Sequence, residues 1–434
     1  MRILDGLLQR LREVCEDFTD KRSTSKNVVY SMADIGMSAF AMFFMQSESF
    51  LDFQRKLSQR ERRSNLHTLF GVKAIPTDPH IRSMLDEVDP ESLQASFDDV
   101  VRTLDAGGGL DEFRRLDGRL LVALDGTEFF CSKKIGCEHC LKRKRRDKTV
   151  EYYHSMLAAS IVAPGKAHCV HLMPEFIETL DGADKQDCER NAAKRWLSSE
   201  KLTSIVQLRP VFLGDALFAC QPVASKVKDI AGADFVFVVK PEYHKSVFDF
   251  IDAVPTETAV VLGPKGSTHT YRWASGVPMR KDTPMFVNWC EITITNVSGK
   301  VTYRNSFVTS LNVDADNVVE IITCGRTRWK IENESFNVLK NHGYNLAHNF
   351  GHGKNHLAKT FAALNLLAFS FHSACDVLDE LWQRTRKKMG KRTSFFSAIF
   401  HACDFFIFDT WIELFDFMLM RKPPASLRAS AASP

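Results

Sequence analysis

The stretch Leu120-Leu121-Val122-Ala123-Leu124-Asp125-Gly126 decides how this chain is read. An unbroken apolar run of that length suits a strand buried on both faces and is too short for a core helix. A carboxylate and a glycine close it. The same arrangement returns at Val211-Phe212-Leu213-Gly214-Asp215, 90 residues further on. In open α/β sheets, functional groups gather beyond the carboxyl ends of the strands. An Asp beside a Gly is in the first instance a turn residue, so neither aspartate identifies a site alone.

Outward from these two runs, Met156–Val162, Ala167–Leu172 and Phe235–Val239 also read as strands, and Asp187–Leu197 as a helix. Strands alternating with helices predict an α/β sheet. Thr258–Leu262, Thr268–Trp273, Met285–Thr295 and Lys300–Leu311 are rich in Val, Thr, Tyr and Trp and are separated by turn residues, which marks a β-rich block. Residues 1–116 read as helical, with Leu4, Leu7, Leu8 and Leu11 at helical spacing, and Gly107-Gly108-Gly109 as a boundary. The expected organisation is a helical N-terminal domain (1–116), the first part of an α/β domain (117–256), a β-rich insertion (257–312), the rest of that domain (313–385), and a helical segment with a disordered tail (386–434).

The third element is Arg326-Thr327-Arg328-Trp329-Lys330-Ile331-Glu332-Asn333-Glu334, within a helix expected over Glu320–Asn341. Arg328 and Glu332 are four apart and share a face, while Ile331, Phe336 and Leu339 contribute a buried stripe. Taken alone, this is a surface helix with an ion pair. Together with the two aspartates, the set resembles the DDE transposases of bacterial insertion sequences of the insertion-sequence-four type. That family has a ribonuclease H-like mixed sheet with flanking helices and a β-rich insertion. The resemblance rests on the segments ending in Asp125 and Asp215 and on the Arg-Trp-x-Ile-Glu core at Glu332, and it covers most of 117–370. Glu334 is a second candidate acid, but only Glu332 has Arg at −4 and Ile at −1. The family often has a Tyr seven residues before the Glu and a Lys seven after it. Here those positions are Gly325 and Leu339, with Lys340 one residue later.

The resemblance implies a DNA transposase, with Asp125, Asp215 and Glu332 as catalytic residues holding two Mg²⁺ or Mn²⁺ ions for strand cleavage and transfer. It implies double-stranded DNA as partner (transposon ends and target) and a homodimer on DNA. It also implies a cytoplasmic, nucleoid-associated bacterial protein engaged in DNA recombination. Arg328 and Lys340 are expected on phosphate oxygens, and the N-terminal helices on the transposon ends. The alternatives are a related nuclease without strand transfer, or a DNA-binding protein with a decayed catalytic site.

Ser132–Lys148 carries eight Lys/Arg against Glu138 and Asp147. Lys142, Arg143, Lys144, Arg145 and Arg146 are therefore expected on the DNA backbone, with salt-dependent binding. A second basic cluster lies at Arg55, Lys56, Arg60, Arg62 and Arg63. Within the first block, Cys137-Glu138-His139-Cys140 offers half of a tetrahedral zinc set, with Cys131, His139 or His154 available to complete it. No second C-x₂-C follows, so the expectation is reduced cysteines in a loop. Pro174–Glu189 is acid-rich and reads as a loop and helix start. His342–His356 reads as a DNA-facing loop.

The bulk numbers agree with a globular protein of two or three domains: 434 residues, 44% hydrophobic and 25% charged, net charge +4. Eleven scattered cysteines do not suggest a secreted disulfide framework, and the N-terminus lacks a signal-like apolar run. Met32–Met45 and Phe361–Phe371 are too short to span a bilayer, and no membrane partner is expected. No Gly-x-Ser-x-Gly and no P-loop is found.

Overall fold

The Leu120–Leu124 run is fully buried and is the first half of a 14-residue strand, Arg119–Ser132. The computed structural model describes residues 2–22, 28–47, 49, 64–179, 187–282 and 284–420. The Arg55–Arg63 cluster and the tail from Arg421 lie outside them. Helices α1 (Ile3–Glu16), α2 (Met32–Phe44), α3 (Asn65–Phe70), α4 (Asp78–Leu85) and α5 (Gln94–Ala106) lead into the sheet. Strands β1 (Arg114–Arg115), β2 (Arg119–Ser132), β3 (Leu141–Lys144), β4 (Val150–Val162), β5 (Val170–His171) and β6 (Glu175–Ile177) follow. Next come α6 (Glu189–Trp196), β7 (Pro210–Gly214), α7 (Gln221–Lys228), β8 (Asp234–Val239) and α8 (Lys245–Ala253). Then come β9 (Glu257–Leu262), β10 (Thr268–Pro278), β11 (Phe286–Thr295) and β12 (Val301–Thr309). The chain ends in α9 (Val318–Arg326), α10 (Asn337–Asn341), α11 (Leu357–Leu378), α12 (Glu380–Met389), α13 (Arg392–Phe405) and α14 (Trp411–Met420).

The strands form one 12-stranded sheet in the order β3-β4-β2-β7-β8-β12-β11-β10-β9, with β1 on β2 and β5 and β6 on β4. Among the described residues, only β2–β7 and β7–β8 are parallel. The expectation of a mixed α/β sheet with helices is met, and the central strand β7 is buried along its whole length, as parallel strands covered on both faces are. The β-rich block at 257–312 is not set apart from this sheet. Strand β12 pairs antiparallel with β8, so β9–β12 extend the sheet.

Helix α11 is the longest apolar element, at 22 residues twice the Phe361–Phe371 run taken from the sequence. It is long and apolar enough to cross a membrane, but 83% of its apolar window is buried inside the fold. Phe371 meets Phe40 of α2 at 4.9 Å between ring centroids, and Phe361 meets Phe43 at 5.6 Å. The N-terminal and C-terminal helices therefore share one core with the sheet.

Candidate active site

Parallel pairing of β2 with β7 runs from Leu120↔Pro210 to Ala123↔Leu213. The residues that follow, Asp125 and Asp215, therefore emerge at the same edge of the sheet. Their settings differ. Strand β7 stops at Gly214, and the Asp215 carboxylate accepts the Leu217 N–H at 2.8 Å in a turn. Asp125 is not at a strand end. Strand β2 continues to Ser132 because β4 stays paired with it, and only the β7 side has been left behind.

Glu332 reaches the same edge from the segment after α9. The helix expected over Glu320–Asn341 is interrupted. A 3₁₀ turn occupies Thr327–Trp329 and a π turn Ile331–Phe336, so Glu332 lies in the widened turn. Arg328 Nη1 donates to Glu332 Oε1 at 2.6 Å and to Asp125 Oδ2 at 3.3 Å. Ile331, Phe336 and Leu339 are buried as the helical spacing required. His171 pins the π turn from below. Its Nε2 is 2.8 Å from Ser335 Oγ, its Nδ1 is 2.8 Å from Ser160 Oγ of β4, and its backbone N–H donates to Ser370 of α11.

The π turn gives a physical account of the shifted lysine. A π turn takes up one more residue than an α turn. Eight residues from Glu332 to Lys340 then cover about what seven cover in an undisturbed helix. Leu339, at the family's lysine position, is buried. The Lys340 amine is half-buried, lowered by that burial and supported by the Glu128 charge. Gly325 has a reason as well: a Cβ there would lie 2.8 Å from Val236 and 2.9 Å from Phe307, so α9 packs directly on β8 and β12. The alternative acid Glu334 acts electrostatically on buried Cys169.

The site is overloaded with negative charge. Burial pushes Asp125 up to about 7; Arg328 opposes this, while Glu332, Asp215 and Glu189 add to it. Glu189 is a fourth acid that the sequence reading took as a helix-start residue. Its carboxyl is itself raised by burial and by Asp215. A Cβ on Gly126 would sit 2.2 Å from the Glu189 carboxyl, so the glycine beside Asp125 makes room for it. That Gly126 was the one available signal, and it does not name its neighbour. Hard carboxylate oxygens in surplus suit a divalent cation such as Mg²⁺ or Mn²⁺.

A cleft of about 1300 Å³ opens beside Asp215, with Arg190, Lys194, Lys240, Lys245 and Arg280 on its walls. These cations come from separated segments and form no run in the sequence. The basic block singled out from the sequence is a hairpin, β3–β4, and its charge is partly spent. Arg143 pairs with Glu128 and Glu151, and Arg145 pairs with Glu151 at 2.8 Å. Lys142 lies over Tyr152, and Lys142, Lys144, Arg145 and Arg146 are all exposed.

Cys137 and Cys140 meet His154 of β4 and His352 of the loop before α11. Cys131 instead contacts Glu151, and His139 faces Glu178. His352 thus turns toward the cysteines, while His342, His348 and Lys354 of the same His342–His356 segment are exposed.

The chain matches no protein-family profile and no curated protein. Among solved structures it is similar to a chain of the cryo-EM structure of the piggyBac transposase synaptic complex with hairpin DNA. The identity is 10% and the TM-score 0.40, over 99% of this chain and 82% of that one. The geometry of the site itself therefore has to carry the function.

Proposed function

We propose that this protein is a metal-dependent DNA transposase of ribonuclease H-like architecture that cleaves and joins DNA strands at transposon ends. One observation carries the reading: Asp215 and Glu332, from distant segments, both act electrostatically on Asp125 at a single sheet edge, and Arg328 bridges Asp125 and Glu332. Antiparallel β5/β6–β4–β2 followed by parallel β7 and β8 supports that architecture. The basic cleft beside Asp215 supports a polyanionic substrate.

Asp125, Asp215 and Glu332 would hold two divalent ions, with Glu189 close enough to contribute. When bound, such ions activate water or a 3′-hydroxyl and stabilise the leaving oxygen of a phosphodiester. The chain's own work is positioning and charge. The carboxylates must be deprotonated together, and Arg328 lowers the cost of doing so at Asp125. The cleft cations hold the DNA backbone so that the scissile phosphate is presented in line. No protein nucleophile is required.

The test is Mg²⁺-dependent cleavage, and transfer from a 3′-hydroxyl donor into a plasmid, using the DNA that flanks the gene. Asp125→Ala, Asp215→Ala and Glu332→Ala are each expected to abolish both reactions and leave DNA binding largely intact. Cleavage retained in Asp215→Ala would overturn the assignment. Cleavage without transfer in the unmodified protein would make it a nuclease.

A further inference from the structure

We propose that Cys137, Cys140, His154 and His352 form a structural zinc site. Their ligand atoms all lie within 4.8 Å of one another. Cys137 and Cys140 Sγ are 3.8 Å apart, and His154 and His352 Nε2 are 3.2 Å apart. The mixed S···N separations are 3.6 Å for Cys137–His154, 3.5 Å for Cys140–His154 and 3.3 Å for Cys140–His352. A tetrahedron with ordinary zinc–sulfur and zinc–nitrogen bonds has ligand separations of roughly 3.3–3.8 Å, longest between sulfurs and shortest between nitrogens. Five of the six separations follow that order, and the sixth, Cys137–His352, lies within 4.8 Å.

The surroundings fit a closed metal site. His352 Nδ1 is 2.9 Å from the Gly353 carbonyl, which fixes the proton there and leaves Nε2 free to bind. The Cys137 N–H donates to Cys140 Sγ at 3.4 Å, which favours a thiolate. Phe129 stacks on His154, and Phe130 lies 4.5 Å from His352, so apolar rings shield the cluster. Two thiolates and two imidazoles select zinc over the hard cations suited to the carboxylate site. Four protein ligands leave no open position, so the role is structural. Binding requires only that the two thiols release their protons.

The site ties three parts of the chain: the turn before β3, strand β4, and the loop that leaves the Glu332 segment. The same loop is held from the other side by Asp86, which accepts the backbone N–H groups of Lys354, Asn355 and Leu357. Zinc would thus lock the exit of the Glu332 segment onto β4, the neighbour of the Asp125 strand.

The test is metal content, independent of any DNA reaction. Full-length protein purified in Mg²⁺ buffer is expected to retain one zinc per chain. The zinc should be lost in Cys137→Ser/Cys140→Ser and kept in Asp215→Ala. Protein produced with cobalt should show tetrahedral d–d and thiolate charge-transfer absorption, which needs no variant to fold. A zinc-free, fully folded chain, a cobalt spectrum without thiolate bands, or zinc that vanishes in Asp215→Ala but survives in the cysteine variant would each overturn the proposal. So would a Cys137–Cys140 disulfide in the freshly purified protein.

Discussion

Arg328 Nη1 lies 3.3 Å from Asp125 Oδ2, across 203 residues of chain. The guanidinium opposes the burial that pushes this carboxyl up to about 7. Without it, Asp125 would hold its proton to higher pH, and only the deprotonated form can hold a cation. Arg328→Gln is therefore expected to lower cleavage near neutral pH by about 10²-fold, the order seen when one charge-stabilising donor is removed. The rising limb of the pH–rate profile should move to higher pH, with Arg328→Lys partly restoring it. A profile with an unmoved limb would mean that Arg328 does not act on Asp125.

Glu189 presses on Asp125, is itself raised by Asp215, and occupies the space that Gly126 leaves open. Glu189→Gln keeps the shape and removes the charge. It should weaken Mg²⁺ affinity by about 10-fold or more, the scale for a group supporting metal ligands. Gly126→Ala should do the same by displacing the carboxyl. Titration of cleavage rate against Mg²⁺ reads both effects, and an unchanged midpoint in Glu189→Gln would reduce this residue to a helix-start acid.

The cleft cations and the β3–β4 hairpin make competing claims on DNA. Arg143 and Arg145 already satisfy Glu151, whereas no ion pair is found for Lys194, Lys240 or Arg280 among the described residues. Removing one cation that neutralises a phosphate should flatten the log–log salt dependence of binding by about 0.9. On that scale the triple variant Lys194→Ala/Lys240→Ala/Arg280→Ala is expected to lower the slope by about 2 to 3. Arg143→Ala should change the slope little and destabilise the hairpin instead. The reverse ranking, measured by binding titrations across a salt series, would return the interface to the hairpin.

His171 is wholly buried between Ser160 and Ser335, and burial lowers its pKa from 6.5 to about 3. The unfolded chain therefore takes up a proton at His171 between those values while the folded chain does not. Its stabilising contribution is full above pH 6.5 and is lost as pH falls toward 3. The loss is at most about 1.4 kcal/mol per pH unit. Urea midpoints compared at about pH 7 and about pH 5, either side of the ordinary histidine value, should show this decline, and His171→Asn should shallow it. An equal decline in the variant would place the acid sensitivity elsewhere, His372 being the other deeply buried imidazole lowered by burial.

What was legible in the sequence was local. Leu120–Leu124 and Val211–Leu213 read as buried strands because apolar runs of that length have few other uses. Arg328 and Glu332 met as expected because spacing of four brings side chains together within one helical stretch. The hairpin was legible too, but not the spending of its charge, since Glu128 and Glu151 reach Arg143 only through the pairing of β2, β4 and β3.

By itself, then, the sequence determined the two strands that carry Asp125 and Asp215, the face shared by Arg328 and Glu332, and the α/β class. Those follow from periodicity and short-range geometry, which the backbone enforces residue by residue. Only the tertiary structure decided that β9–β12 extend the same sheet and that Glu189 stands against Gly126. It alone brought His352 to Cys137, Cys140 and His154, and gathered scattered cations around one cleft. Each of these depends on sheet register and on helices packed across long stretches of chain, where spacing along the sequence carries no information about distance.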